Sequence, residues 1–382
     1  MTRASEHAGR WVGATRARAG YGLALSALAM AAACSTPPSA PAPGTGGTPA
    51  PVVTSPAAPP GPVDLPGGPR LYVSNETAGS VSVVDVNTRQ VIATIPVGKR
   101  PRGIRASADG RKVYVALSGS AIAGPGVDES TLPPPDRRAD GIGEIDTASR
   151  TLVRTLQSGP DPEQFAISKD GTRLFVANED AGTASVVDVA TGTIVKRITV
   201  GMEPEGVDLS PDGRHVYVTS ENDGSVFVID TARLEVVTEV RVGRRPRSTA
   251  FLPDGSRAWV SAENGPQVVE LDARTHRVVG AVTFAPDTLK PMGVGVSPDG
   301  AKVYVTTGRG RTLERIDATT RARSGTVEVG ERPWGLAVSP DGRLAFTANG
   351  PSNDVSVVDL ASLQVVARVP VGERPWGLAY VP

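Results

Sequence analysis

The chain has 382 residues, with 40 basic and 40 acidic side chains giving zero formal net charge, and only 4% of its residues are aromatic. That length can bury a sizeable core, but the balanced charge excludes a global electrostatic argument for nucleic acid or an anionic membrane surface. The single cysteine, Cys34, excludes an internal disulfide, a cysteine-based metal site and CxxCH attachment of haem.

The first element in chain order, residues 1–33, reads as an export signal. Arg3, Arg10, Arg16 and Arg18 precede an apolar run from 21 to 33. The run is too short for an ordinary transmembrane helix and has the length of a signal-peptide h-region. Cys34 follows Ala31, Ala32 and Ala33, an arrangement that resembles the lipobox of bacterial lipoproteins, although Ala31 stands where leucine is usual. On that reading Cys34 is lipidated, becomes the mature N-terminus and anchors the protein to a membrane. The alternative is ordinary signal cleavage with an incidental cysteine. Both readings place the protein in the periplasm or cell envelope. Residues 34–69 are dominated by Pro, Ala, Gly, Thr and Ser; such a segment cannot bury a core and reads as a tether. At about 3.1 Å per residue its upper reach is on the order of 100 Å.

From residue 70 onward one joint recurs. Its form at Gly330-Glu331-Arg332-Pro333-Trp334-Gly335 returns, with variations, around Pro101, Pro162, Pro204, Pro246, Pro291 and Pro375, and all but two of the intervals are 42 residues. A fixed period of this size signals a solenoid, propeller or array. Residues 205–243 show one repeat: an alternating strand from 207 to 209, the turn Ser210-Pro211-Asp212-Gly213, then strands at 215–219, 225–230 and 234–242. Four short strands with turn signals every 8 to 12 residues describe a blade of an antiparallel propeller. An aspartate closes each third strand: Asp85, Asp146, Asp188, Asp230, Asp272, Asp317 and Asp359. The second strands carry Tyr72, Tyr114, Phe175, Tyr217, Trp259, Tyr304 and Phe346, which read as packing between blades.

The ends of the repeat region decide between an open stack and a closed ring. After Pro375 there is chain for one innermost strand; before Pro101 there are three strands, at 71–73, 80–85 and 91–97. Pairing the C-terminal strand with the N-terminal three makes a seventh blade and removes exposed sheet edges. The expected fold is therefore an all-β, seven-bladed β-propeller over 70–382, with an insertion at 118–141 in its first full blade. That insertion is either a functional flap or a tolerated surface excursion.

The joints and the insertion share one face, and the Ser-Pro-Asp-Gly turns the other. The residue after each joint proline should point to the channel mouth: Arg102, Glu163, Glu205, Arg247, Met292, Trp334 and Trp376. These seven form an asymmetric ring, charged on one arc and apolar to aromatic on the other, and are the candidate ligand-binding residues. The bland alternative is that Arg102 pairs with Glu163 and Arg247 with Glu205 while the tryptophans plug the channel. Just before the prolines stand Arg100, Asp161, Glu203, Arg245, Lys290, Arg332 and Arg374, an outer tier with an excess of three positive charges. No catalytic set emerges: His7 lies in the signal, His215 and His276 away from the mouth, and there is no GxSxG, HExxH or P-loop. No metal site or cofactor is expected, although Glu163 and Glu205 are weighed as ligands for a hard cation. Glu and Asp interrupt the basic tier, so nucleic acid is not an expected partner, and the chain reads as a monomer.

Tyr72-Val73-Ser74-Asn75, Tyr217-Val218-Thr219-Ser220 and Tyr304-Val305-Thr306-Thr307 make the chain resemble the YVTN β-propeller repeat family throughout 70–382. More narrowly, the stretches 70–76, 158–163, 176–180, 203–206 and 350–359 resemble the β-propeller proteins associated with PQQ-dependent alcohol catabolism. That resemblance implies an exported binding or accessory protein near periplasmic quinoprotein dehydrogenases, with no catalytic residue to carry over. The insertion and the lipoprotein-like start depart from the pattern. The leading reading is a non-enzymatic propeller that binds a small molecule, peptide or partner protein at the joint face. The alternatives are a lactonase-like hydrolase and an envelope or surface scaffold protein.

Overall fold

In the computed structural model, residues 67–122 and 131–382 are described. Residues 1–66, on which the readings of an export signal, a lipidated Cys34 and most of a tether fall, and residues 123–130 of the insertion lie outside the described residues. Twenty-eight described strands form seven four-stranded antiparallel sheets, one per blade.

The innermost strands are β4 (Pro101–Ala106), β8 (Pro162–Ile167), β12 (Pro204–Leu209), β16 (Pro246–Phe251), β20 (Pro291–Val296), β24 (Pro333–Val338) and β28 (Pro375–Val381). The last of these closes the ring. β28 pairs antiparallel with β1 (Arg70–Asn75), which continues through β2 (Ser80–Asp85) to β3 (Gln90–Pro96) at the outer edge. The other six blades each run in sequence order from an innermost strand outward. The insertion leaves blade one between β5 (Lys112–Leu117) and β6 (Gly141–Asp146) and contains a 3-10 turn at Arg137–Ala139.

The aromatic of each second strand points into the interface with the next blade. Tyr72 packs with Ile104, Val113 and Val115 of blade one; Tyr217 with Phe251 and Val260 of blade four; Trp259 with Val303 and Val305 of blade five. The remaining four aromatics do the same. All seven are buried, so the core consists of seven interfacial clusters rather than one centre. A large ring fits this role because it fills the wedge between two twisted sheets at small rotamer cost.

The joint owes its sequence to the crowding of the innermost strands. A Cβ on Gly206 would lie 2.3 Å from the carbonyl oxygen of Arg247, and one on Gly377 would lie 2.7 Å from that of Arg102. Adjacent blades touch backbone to backbone at these two positions, where a side chain would clash, whereas blades two and four carry Gln164 and Ser248 at the equivalent place. The residue before each joint proline is left-handed although it is not glycine: Arg100, Asp161, Glu203, Arg245, Lys290, Arg332 and Arg374 have φ between 39° and 59°. Such a conformation costs about 1–2 kcal/mol per residue, and it persists because it is tied down. In five blades the carbonyl of this residue accepts the N–H that follows the second strand, as in Glu76 to Arg374 (2.9 Å), Glu179 to Asp161 (2.9 Å), Glu221 to Glu203 (3.0 Å) and Glu263 to Arg245 (2.9 Å). The fifth runs from Gly308 to Lys290 (2.8 Å). That tie also brings a glutamate beside the joint in four blades.

The third-strand aspartates cap their turns. In six of the seven, the backbone N–H three residues on is the largest cause of a lowered pKa; Asp317 owes its lowering first to Lys302. Asp170, Asp212, Asp299 and Asp341 of the Pro-Asp-Gly-type turns are lowered chiefly by the serine hydroxyl two residues earlier, and Asp254 by the Ser256 N–H. A carboxyl with a depressed folded-state pKa contributes stability above its unfolded value that is lost as pH falls through the folded value. Stability in urea is therefore expected to hold from neutral pH to about 5 and to drop steeply below about 4, with uptake of several protons on unfolding. Unchanged stability at pH 3 would contradict this capping role.

Candidate functional site

The seven candidates are the second residues of the innermost strands; Arg102, Arg247, Trp334 and Trp376 line the cavity on the joint face, Glu205 and Met292 line only a deeper one, and Glu163 lines neither. Arg102, Glu163, Glu205, Arg247, Met292 and Trp376 are buried; Trp334 is half-buried. Two ion-pair knots hold the charged arc. In one, Arg247 contacts both Glu205 and Glu221 closely and bonds Glu263 at 2.8 Å, while Arg245 reaches Glu221 at 2.6 Å and Glu263 at 3.5 Å. In the other, Arg102 contacts Glu163 closely and lies 3.4 Å from Glu179 and 3.9 Å from both Glu76 and Asp161. Arg100 and Arg374 reach Glu76 at 3.3 Å and 3.0 Å.

Three carboxylates share two arginines in the first knot, and two of them, Glu205 and Glu263, shift in opposite directions. Burial pushes Glu205 well up, Arg247 opposing it and Glu221 adding to it. Burial also acts upward on Glu263, but Arg247 and Arg245 outweigh it and hold its carboxyl below the usual range. Burial alone would lower Arg247; Glu205, Glu221 and Glu263 more than reverse this and keep it charged. Burial therefore shifts Glu205 toward its protonated form while the arginines shift Glu263 away from it.

The tryptophans close the aromatic arc. Trp334 and Trp376 stack with centroids 5.6 Å apart and an interplanar angle of 22°. The Arg247 and Arg332 guanidinium groups lie 4.9 Å and 5.3 Å from the Trp334 ring centre, and that of Arg102 lies 5.4 Å from Trp376. Trp334, Trp376 and Arg247 line two cavities at once and so form the partition between them. On the joint side is a mouth of about 500 Å3; on the far side an inner chamber of about 390 Å3 runs along the innermost strands.

The insertion walls the mouth, with Ser120, Ala121, Ile122, Leu132, Pro133 and Pro135 at its side. It is anchored there: Arg100 donates to the carbonyls of Ser120 (3.0 Å) and Ala121 (3.2 Å), Ser118 donates to Asp161, and Arg137 pairs with Asp180 and, at 3.2 Å, with Asp140. Among the described residues, seven arginines and four carboxylates line this mouth, and four further carboxylates, Glu163, Glu205, Glu221 and Glu263, contact its arginines. Six of the arginines have carboxylate partners. Arg332, half-buried over Trp334, has none among the described residues. Burial pushes its pKa down, Glu263 opposes, and Arg374, Arg247 and Arg245 push the same way as burial.

Oxygens of Asp161, Glu163 and Glu179 lie within 4.8 Å of one another, a donor set of the kind a hard cation takes. The Arg102 guanidinium reaches into this cluster and stands in as its cation. On the opposite face His215 and His276 meet edge to face at 4.7 Å, and His276 Nδ1 lies 2.8 Å from the Tyr217 hydroxyl. The site residues that sequence reasoning missed are Glu76, Glu179, Glu221 and Glu263. Their signal was present: each directly follows a second strand, and the last three are 42 residues apart.

The family model "Lactonase, 7-bladed beta-propeller" matches residues 65–201, and "Cytochrome D1 heme domain" matches 169–291. A haem does not fit the mouth described here, because its lining offers arginines, carboxylates and tryptophans but no histidine. No curated protein matches the chain. Among solved structures, hydrazine synthase of Kuenenia stuttgartiensis is 22% identical, with 78% of this chain and 97% of that chain covered and a TM-score of 0.66. A putative 6-phosphogluconolactonase from Bacteroides fragilis is 17% identical over 84% and 100% (TM-score 0.67), and a functionally unknown protein from Desulfotomaculum acetoxidans is 17% identical over 81% and 98% (TM-score 0.67). At these identities the likeness is one of fold. The chain is a seven-bladed β-propeller, similar in sequence over parts of its length to lactonase and cytochrome D1 propellers.

Proposed function

We propose that this propeller is an exported, non-enzymatic protein that binds a small anionic molecule, a carboxylate or phosphate, in the mouth on its joint face. The observation that carries the reading is Arg332: a half-buried cation with no carboxylate partner among the described residues, beside the paired arginines of the mouth. A buried or half-buried charge is stabilised by a counter-charge, and an arginine fork matches carboxylate and phosphate bidentately. Trp334 beneath it offers a planar platform for the rest of the ligand. The seven left-handed joints fix the tier, so little ordering is left for binding.

The reading leaves room for the role implied by the resemblance, an accessory beside periplasmic dehydrogenases held at the membrane through Cys34. Calorimetry against gluconate, 6-phosphogluconate and inorganic phosphate tests it. Arg332→Ala is expected to weaken the binding of whichever anion the wild type takes by about tenfold or more, and affinity should fall with added salt. Equal affinity in the variant would overturn the assignment.

Hydrolysis of a lactone is the second reading, favoured by the lactonase match over 65–201 and by the burial-raised Glu205 as a proton donor. Turnover of a lactone panel that disappears in Glu205→Gln would put it first.

A further inference from the structure

Asparagine is followed by glycine at two places in the chain, Asn264-Gly265 and Asn349-Gly350. An asparagine in this setting can react with its own backbone, because glycine puts no side chain beside the attacking amide nitrogen and leaves the chain free to turn it toward the asparagine carbonyl. The fold treats the two pairs differently. Asn349 ends β25 (Leu344–Asn349) and is buried. Its Nδ2 donates to Asp354 at 2.6 Å and to Ser356 at 2.9 Å, and its Oδ1 accepts from the Thr347 hydroxyl at 3.0 Å. That side chain is held in place, and the charged group it meets is a carboxylate.

Asn264 stands half-buried in the turn between β17 (Arg257–Ala262) and β18 (Gln267–Asp272), on the joint face. The equivalent turn of blade three is closed by the Gly224 N–H, which donates to the Ser220 carbonyl at 3.0 Å. Blade four has Pro266 at that place; proline carries no N–H, so the closing bond is missing. The Gly265 N–H has no acceptor among the described residues. Two cations attend the pair instead. Lys290 Nζ donates to Asn264 Oδ1 at 3.4 Å, and Arg244 donates to the main-chain carbonyl of Asn264 at 3.2 Å. The first polarises the side-chain carbonyl and stabilises an oxyanion forming on it; the second draws charge from the peptide bond that carries the Gly265 nitrogen and makes its N–H more acidic.

We propose that Asn264 is a self-modifying position on the joint face, converted through attack by the Gly265 nitrogen into aspartyl and isoaspartyl forms, with Lys290 assisting. The Gly265 N–H gives its proton to water, the nitrogen bonds to Asn264 Cγ, and the Cγ–Nδ2 bond breaks as the side-chain nitrogen takes up a proton and leaves as ammonia. Water then opens the five-membered imide at either carbonyl, giving a carboxylic acid that ionises. The net change is one water consumed and one ammonia released. The joint face thereby gains a negative charge beside Lys290 as the molecule ages. No ligand takes part, so the inference does not rest on anion binding at the mouth.

Peptide mapping by mass spectrometry, after the full chain has been held at mildly alkaline pH, tests this. A gain of about 1 Da is expected on the peptide containing position 264, about tenfold faster or more than on the one containing position 349. Labelling by an isoaspartyl methyltransferase should mark the same peptide. In concentrated urea, where neither environment persists, the two rates should converge. Lys290→Met is expected to slow the reaction at 264 about threefold or more. Gly265→Ala should slow it about tenfold; a Cβ there would lie 3.3 Å from the Arg244 amide nitrogen, close but without a clash, and thermal melts check that both variants fold. Equal rates at 264 and 349 in the folded chain, an intact 264 while the unfolded chain reacts, or unchanged rates in both variants would each overturn the proposal.

Discussion

Deleting residues 375–382 is expected to abolish the cooperative unfolding transition rather than to lower its midpoint. Those residues carry β28, whose register on β1 pairs Arg70 with Val381, Leu71 with Tyr380, Tyr72 with Ala379 and Val73 with Leu378. The Ser74 hydroxyl bonds the Gly377 N–H at 2.9 Å, and Trp376, Ala379 and Val381 are buried. Full burial of a large apolar side chain contributes roughly 1.5–3 kcal/mol, so loss of these side chains and their ladder is comparable to the 5–15 kcal/mol that holds a typical domain together. The deletion also bares the β1 edge and opens both flanks of the seventh blade, which favours association. Circular dichroism melts and size-exclusion chromatography read the outcome. A circular permutant that joins residue 382 to residue 70 through a short linker should keep the wild-type transition, because it alters the connection and not the blade. A deletion variant that melts like the wild type would show that ring closure contributes little.

The second large effect concerns Arg247. Replacing it with methionine keeps much of the volume but leaves Glu205, Glu221 and Glu263 without the cation on which they converge. Removing one partner of a buried ion pair typically costs about 3–5 kcal/mol, because the remaining charge stays buried. Urea denaturation at pH 7 is expected to show a loss of that order. The loss should shrink with falling pH. Arg247 lowers the pKa of Glu205 and Glu263, so without it their folded-state values rise, and groups with raised folded values add stability below their unfolded pKa that is lost as pH rises through the folded one. Adding Glu221→Gln to Arg247→Met should recover part of the stability at pH 7. A loss that is unchanged between pH 7 and 5 and not relieved by Glu221→Gln would mean that the knot matters by packing alone.

Much of the architecture was visible in the chain because propeller blades repeat the same local chemistry. The joint proline, the Ser-Pro-Asp-Gly turn and the closing aspartate each act over a few residues, through fixed φ, permitted positive φ and backbone capping. Their spacing reports strand length directly. The incomplete repeats at 70–97 and 375–382 specify closure, since each end supplies the strands the other needs.

The site was only partly visible, for a different reason. The ring residues Arg102 to Trp376 follow from counting one place past each proline, and the pairs Arg102 with Glu163 and Arg247 with Glu205 follow from adjacency of blades. The additional carboxylates do not, because Glu76, Glu221 and Glu263 enter from another loop of the blade and reach the axis through a hydrogen bond to a left-handed carbonyl. His215 and His276, 61 positions apart in the chain, meet for a similar reason across two blades.

The sequence by itself determined the blade, the number of blades, the closure and the tier of residues that begins each innermost strand, because these depend on backbone geometry and alternating burial. Only the tertiary structure decided that two tryptophans divide the channel into two chambers, that the insertion walls one of them, and that Arg332 lacks a carboxylate partner among the described residues. Charge matching on the axis depends on how far side chains from seven blades reach toward a common point, and one-dimensional spacing does not contain that distance.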